Sequence, residues 1–201
     1  MSLPPRWVLA TANRGKTAEL ATLFRESGLA IDLVAQTDLG VPPAAETAST
    51  FAENALLKAR HAARITGLPT VADDSGLTVD ALGGAPGVLS ARYAGPAADD
   101  RANIAKLLAA LAVETSGRTA RFHCVLVALL DADDPAPAIA TGEWSGEIAR
   151  IERGNNGFGY DPVFFDQRLG KTAAELSPTE KNRVSHRGAA LRQLIESLKK
   201  R

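Results

Sequence analysis

The sequence predicts an α/β protein built on a mixed, twisted sheet with helices on its faces. Short apolar runs bounded by glycine, proline and small polar residues read as strands, and longer stretches with a helical apolar stripe read as helices. The two kinds alternate early in the chain, while the later strands follow one another, which favours a mixed sheet over a purely parallel one. With 201 residues the chain can bury a substantial core and is read as one domain, residues 1–201.

The first strand is "WVLA" (Trp7 to Ala10), followed by the polar loop "TANRGK" and a helix with Leu20, Leu23 and Phe24 on one face. A second helix starts after Thr50, where Glu53 completes a capping box, and it stops at Gly67 and Pro69. A short strand, "TVA", then ends at Asp73. Asp99 and Asp100 start a third helix carrying Ile104, Leu107, Leu108 and Leu111, which stops before Gly117. Arg121 to Leu130 is too continuously apolar for an edge strand, and "IATGEWSGEIARI" gives its neighbour, with a bend expected at Gly146. Pro162 to Phe165 forms a last short strand, and Leu191, Leu194, Ile195 and Leu198 mark a final helix.

Lys+Arg 23 balances Asp+Glu 23, which argues against a nucleic-acid polymer or an anionic membrane as partner. No run reaches the roughly eighteen apolar residues of a membrane span, and the start has no signal-like pattern, so a cytoplasmic protein is expected. Cys124 is the only cysteine and sits in an apolar run, which points to a buried structural thiol. His61 and His123 are also read as structural, on a helix surface and in an apolar strand.

Four stretches bear chemistry. "TANRGK" places Thr11, Asn13 and Lys16 where a strand meets a helix N-terminus, a position that suits phosphate; the alternative is that Thr11 and Asn13 only cap the helix while Lys16 is solvated. "DDSG" carries Asp73 and Asp74, which point to opposite sides if the strand persists, so that one faces a pocket while a cation or backbone donors hold the other. Standing alone it reads as a turn, though the following tract with Gly83, Gly84, Pro86 and Gly87 argues for more. "GNNGFGYDP" offers glycines for close approach and an aromatic face for a planar base, or else simply a loop with core aromatics. "EKNRVSHR" gathers Lys181, His186 and Arg187 ahead of the last helix, as donors or as a solvated helix start. A P-loop is a competing reading of "ATANRGKT", with Asp131 as the partner aspartate, but Ala10 stands where its first glycine belongs.

In this order the segments "LATANRGKTAEL", "TFAENALLKARHAA", "ADDSGLTVDALGGAPGVLSARYAG", "ARFHCVLV", "GFGYDPVFF" and "KTAAELSPTEKNRVSHRG" resemble the inosine triphosphate pyrophosphatases, the Ham1-like family, and in particular its bacterial dITP/XTP pyrophosphatases. The resemblance covers nearly the whole chain. It implies two lobes around a central nucleotide-binding cleft, a homodimer, and Mg²⁺-dependent hydrolysis of ITP, dITP or XTP to the monophosphate and pyrophosphate. It also implies substrate binding by Thr11, Ala12, Asn13, Arg14, Gly15, Lys16, Ser75, Phe158, Gly159, Tyr160, Asp161, Lys181, His186 and Arg187. Asp74 falls on the general base and metal ligand, Glu46 on the second metal ligand, and Asp73 is a further candidate ligand. Ala12 replaces a common glycine, and Asn155 and Asn156 add bulk to the aromatic loop. A P-loop-like ATPase or kinase and a non-catalytic nucleotide-binding module are the alternatives.

Overall fold

A computed structural model describes residues 3–97, 99–112 and 117–200. It contains one seven-stranded sheet in the order β2-β1-β3-β4-β5-β6-β7: β1 (Arg6–Ala10), β2 (Asp32–Ala35), β3 (Thr70–Val79), β4 (Thr119–Leu129), β5 (Ala138–Ile148), β6 (Phe164–Asp166) and β7 (Lys171–Thr172). β1 pairs in parallel with β2 and β3, whereas β5, β6 and β7 pair antiparallel, so the sheet is mixed as expected. The helices are α1 (Arg14–Glu26), α2 (Phe51–Thr66), α3 (Asp100–Ala112), α4 (Pro178–Val184) and α5 (His186–Leu198). By its internal packing the chain divides into two compact units. One comprises Met1–Asp74, Cys124–Gly142 and Arg187–Arg201; the other comprises Ser75–His123 and Glu143–His186.

In the first unit the strand pleat sorts side chains onto two faces. Trp7, Leu9, Val71, Cys124, Leu126 and Ala128 join Leu20 and Phe24 of α1 and Leu191, Leu194, Ile195 and Leu198 of α5 in one cluster. Their chain neighbours Val8, Ala10, Ala72, Val125, Val127 and Leu129 pack with Ala55, Ala59, Ala62 and Ala63 of α2 in another. The alanine stripe keeps α2 close to the strands. Its ends are set as the sequence indicates: Thr50 Oγ1 accepts the Glu53 N–H at 3.2 Å, and Gly67 closes the helix in the left-handed conformation.

Among the described residues the second unit has one core cluster, with Leu77 and Val79 of β3, Phe122 of β4, Trp144 of β5 and Phe164 against Ile104, Leu107 and Leu111 of α3. The Phe122 and Phe164 rings lie 4.5 Å apart and tilted, an arrangement worth about 1 kcal/mol beyond the area buried. β5 runs unbroken through Gly146, where a Cβ would meet Phe165 O at 2.5 Å and Phe164 Cζ at 2.8 Å. The glycine therefore admits β6 rather than turning the strand.

Two further expectations are corrected. β3 does not stop at Asp73 but continues through Asp74, Ser75 and Gly76 to Val79, so "DDSG" is strand and not turn. Adjacent carboxylates inside a buried strand are tolerable because lysines from two different helices neutralise them. The last expected strand starts at Phe164, not Pro162, since residues 160–163 form a turn in which Tyr160 O accepts the Val163 and Phe164 N–H groups.

Candidate functional site

The pleat of β3 sends Asp73 and Asp74 to different partners. Asp73 is fully buried on the α1 and α5 side of β3, and its Oδ1 lies 2.5 Å from Lys16 Nζ. Its Oδ2 accepts the Cys124 thiol at 3.1 Å and lies 3.6 Å from Arg187 Nε. Burial alone would raise the Asp73 pKa, but the charges of Lys16, Arg187 and Lys58 outweigh it and hold the carboxyl well below the usual range. The same burial, with Asp73 beside it, pushes the Cys124 thiol up, so this is an inert thiol, as expected.

Asp74 faces α2. Its Oδ1 accepts from Lys58 Nζ at 2.6 Å, and the same ammonium donates to Glu46 Oε1 at 2.8 Å. Burial raises the Asp74 pKa, Lys58 opposes this, and the balance remains upward. For Lys58 burial pulls the pKa down, and the carboxylates of Asp74, Asp73 and Glu46 more than reverse it. Two carboxylates thus converge on one cation-sized position. Magnesium commonly takes one or two protein carboxylates and completes its shell with water and substrate phosphate, so Glu46 and Asp74 fit such an ion. A fuller cage of three or more His, Cys, Asp or Glu is absent among the described residues.

The loop before α1 is organised by its own side chains. Thr11 Oγ1 accepts the Asn13 N–H at 3.2 Å, and Asn13 Oδ1 caps the helix by accepting the Lys16 N–H at 3.1 Å. Ala12 and Asn13 are exposed, Gly15 is half-buried, and the side chain of Arg14 lies outside the described residues. Asn13 does cap the helix while Thr11 braces the cap residue, but Lys16 is not solvated: Asp73 holds it. Asp131, the aspartate a P-loop reading requires, instead accepts the Asp133 N–H in a turn.

In the second unit, Asp161 is the organising group. Its Oδ2 accepts the Phe158 N–H at 2.9 Å and the Lys181 ammonium at 2.5 Å, and Lys181 Nζ stands 5.0 Å from the centre of the Phe158 ring. Gly157, at φ 78°, has no room for a Cβ, which would overlap the Asp161 carboxylate. The Gly159 N–H donates to Asp100 Oδ2 at 2.7 Å. Tyr160 is buried, its hydroxyl donating to Ser90 O at 2.9 Å, and burial raises its pKa further; it supports the loop from within the core. Lys181 lies on α4, whose start is fixed by a Ser177–Glu180 capping box, and the His186 ring stacks on Phe122 at 4.7 Å. Ser75, on β3, is half-buried. Gly83, Gly84 and Gly87 have positive φ in the turn that returns the chain to Thr78, so backbone geometry accounts for that tract.

Sequence reasoning placed most of these residues but missed Lys58 and Glu19. Lys58 had a legible signal: it stands between Ala55, Ala59 and Ala62 on the apolar stripe of α2, where an unpaired charge would not persist. Glu19 pairs with Arg187 Nη1 at 2.5 Å, a contact across 168 positions that no local pattern announces.

The Ham1 family model matches residues 7–197 of the chain. A dITP/XTP pyrophosphatase of Shigella flexneri is 59% identical over 193 residues, covering 96% of this chain and 97% of that protein. One of Erwinia tasmaniensis is 61% identical, with 96% and 93% covered. Among solved structures, a HAM1 protein from Coxiella burnetii superposes with a TM-score of 0.90 at 53% identity, covering 98% of this chain and all of that one. A match of this extent, with the same mixed sheet beneath it, shows that the chain belongs to the Ham1 family.

Proposed function

We propose that the protein hydrolyses the non-canonical purine nucleoside triphosphates ITP, dITP and XTP to the monophosphate and pyrophosphate, clearing deaminated purines from the nucleotide pool. The observation that carries this reading is the convergence of Glu46 and Asp74 on one cation position beside the lysine-bearing start of α1. The names of the relatives at about three-fifths identity point the same way.

In this reading Thr11 through Lys16, with Ser75, hold the phosphate chain through backbone N–H groups, hydroxyls and the Lys16 ammonium. Glu46 and Asp74 would hold magnesium, which would supply charge neutralisation for the leaving pyrophosphate. Asp74 also accepts the proton of a water whose oxygen attacks the α-phosphorus; the α–β bridging bond breaks and pyrophosphate leaves with the electron pair.

The base is assigned to Phe158 through Asp161, Lys181, His186 and Arg187. Phe158 offers a ring face, and Lys181, oriented by Asp161, offers N–H donors to a 6-oxo group. Adenine presents an amino donor there, so the same lysine would face a donor and leave its own unmet. Family resemblance supports a homodimer acting as one domain in the cytoplasm, and no described helix is long and apolar enough to cross a membrane.

The test uses purified protein and its Asp74→Asn variant with ITP, XTP, GTP and ATP, with and without Mg²⁺. The unsubstituted protein should release monophosphate and pyrophosphate from ITP and XTP, with ATP and GTP nearly untouched. Asp74→Asn should lose about 100-fold or more in turnover while keeping nucleotide affinity. Diphosphate and orthophosphate, chiefly from ATP, would reject the reading in favour of a P-loop-like enzyme; binding without turnover would favour a non-catalytic module.

A further inference from the structure

Asp73 has no part in the mechanism above, yet it is the most deeply buried of the site's charged groups. Around it the charges alternate: Lys16 pairs with Asp73, Asp73 lies against Arg187, and Arg187 pairs with Glu19. Lys16 and Glu19 are one turn apart on α1, so the ring ties that helix start to β3 and to the start of α5. A lysine ammonium has three donors on a flexible stem, and directing one of them at a rigid buried carboxylate fixes where the other two point.

We propose that Asp73 is a positioning residue for the Lys16 ammonium: from the face of β3 opposite Asp74 it fixes that ammonium before substrate arrives, and it takes no part in holding the metal. Its partners argue for this division. Asp73 contacts groups on α1, β4 and α5, whereas Asp74 and Glu46 meet on Lys58 of α2. The inference rests on the reading of Lys16 as a phosphate ligand.

The experiment compares the unsubstituted protein, Lys16→Met, the double variant Lys16→Met/Asp73→Asn, and Glu46→Gln for kcat/KM on ITP and for the Mg²⁺ concentration that half-saturates turnover. The double variant removes one cation and one anion together, so the remaining buried charges stay balanced and the fold does not depend on an unpaired group. Lys16→Met should lower kcat/KM by about 100-fold. Adding Asp73→Asn should lower it by less than about threefold more, because the two residues act as a unit. The Mg²⁺ requirement should not move with Asp73→Asn, whereas Glu46→Gln should raise it about tenfold. A further tenfold loss in the double variant, or a raised Mg²⁺ requirement, overturns the proposal.

A second readout is independent of turnover. Acetylation of Lys16 by a succinimidyl ester, followed by mass spectrometry, should be about fivefold faster in Asp73→Asn than in the unsubstituted protein, because a neutral amide no longer holds the ammonium. Equal rates would overturn the positioning role. Should the unsubstituted protein release no monophosphate from ITP, the functional reading fails by itself, and the acetylation rates still decide whether Asp73 fixes Lys16.

Discussion

Lys58 shows how a single side chain can report what its surroundings are built for. It holds Glu46 and Asp74 together at 2.8 and 2.6 Å, doing with an ammonium what a divalent ion does in other carboxylate sites. Removing it takes away the ammonium to which both carboxylates are hydrogen-bonded. Lys58→Met should therefore destabilise the metal-free protein by about 2 kcal/mol, less than for a fully enclosed pair because Glu46 is 28% exposed. In a thermal melt that is a fall of about 4–8 °C. Millimolar Mg²⁺ should raise the melting temperature of the variant more than that of the unsubstituted protein, since the ion takes up the vacated position. Equal shifts would mean that the two carboxylates do not form one cation position. At this scale the sequence was uneven. It offered Asp74, Lys16 and Lys181 through the residues flanking them, but it did not say which aspartate faces which helix. That depends on β3 continuing past Asp73, where Lys16 and Lys58, from elsewhere in the chain, pair with its two carboxylates.

Among the elements, the loop from Gly154 to Asp161 and the β5–β6 pair are the most sharply specified. Gly157→Ala would place a Cβ against the carboxylate that orients Lys181, at a φ of 78° that alanine tolerates poorly. A stability loss of about 1–3 kcal/mol is expected, together with a weakened preference for ITP over ATP in kcat/KM. Retained selectivity at unchanged stability would separate Asp161 from base recognition. On β6, Asp166 accepts from Trp144 Nε1 at 2.8 Å, from the Arg168 and Leu169 N–H groups at 2.8 and 3.3 Å, and from the Arg168 side chain at 3.1 Å. Burial would raise its pKa, but these donors lower it overall. A folded pKa below the unfolded one means that the stabilisation is present above the unfolded value, about 3.9, and fades as pH falls through the folded value. Asp166→Asn should cost about 1–3 kcal/mol at pH 7, and the gap from the unsubstituted protein should close below about pH 4. A gap unchanged at low pH would mean that the charge of Asp166 contributes nothing. Periodicity made α1, α2, α3 and α5 legible, as each carries an apolar stripe beside a cap or a stop. It missed β2, β7 and α4, which are only four, two and seven residues long and carry too few apolar positions to establish a period.

For the whole molecule, two levels of reading agree by different routes. Alternating and consecutive strands indicated a mixed sheet, and the sheet has a parallel β2-β1-β3 portion and an antiparallel β5-β6-β7 portion. Ordered motifs indicated the family, and the family model spans residues 7–197. What composition could not supply was the chemistry, because balanced charge overall conceals a local concentration of five charged side chains around the Asp73–Asp74 step: Lys16, Lys58, Glu46, Arg187 and Glu19. Hydrolysis of ITP in ¹⁸O-labelled water, with both products resolved by mass spectrometry, would show whether this chain directs water to the α-phosphorus of a 6-oxo purine nucleoside triphosphate. Label in the monophosphate and none in the pyrophosphate is the expected result; label in the pyrophosphate, or release of diphosphate with labelled orthophosphate, would contradict it.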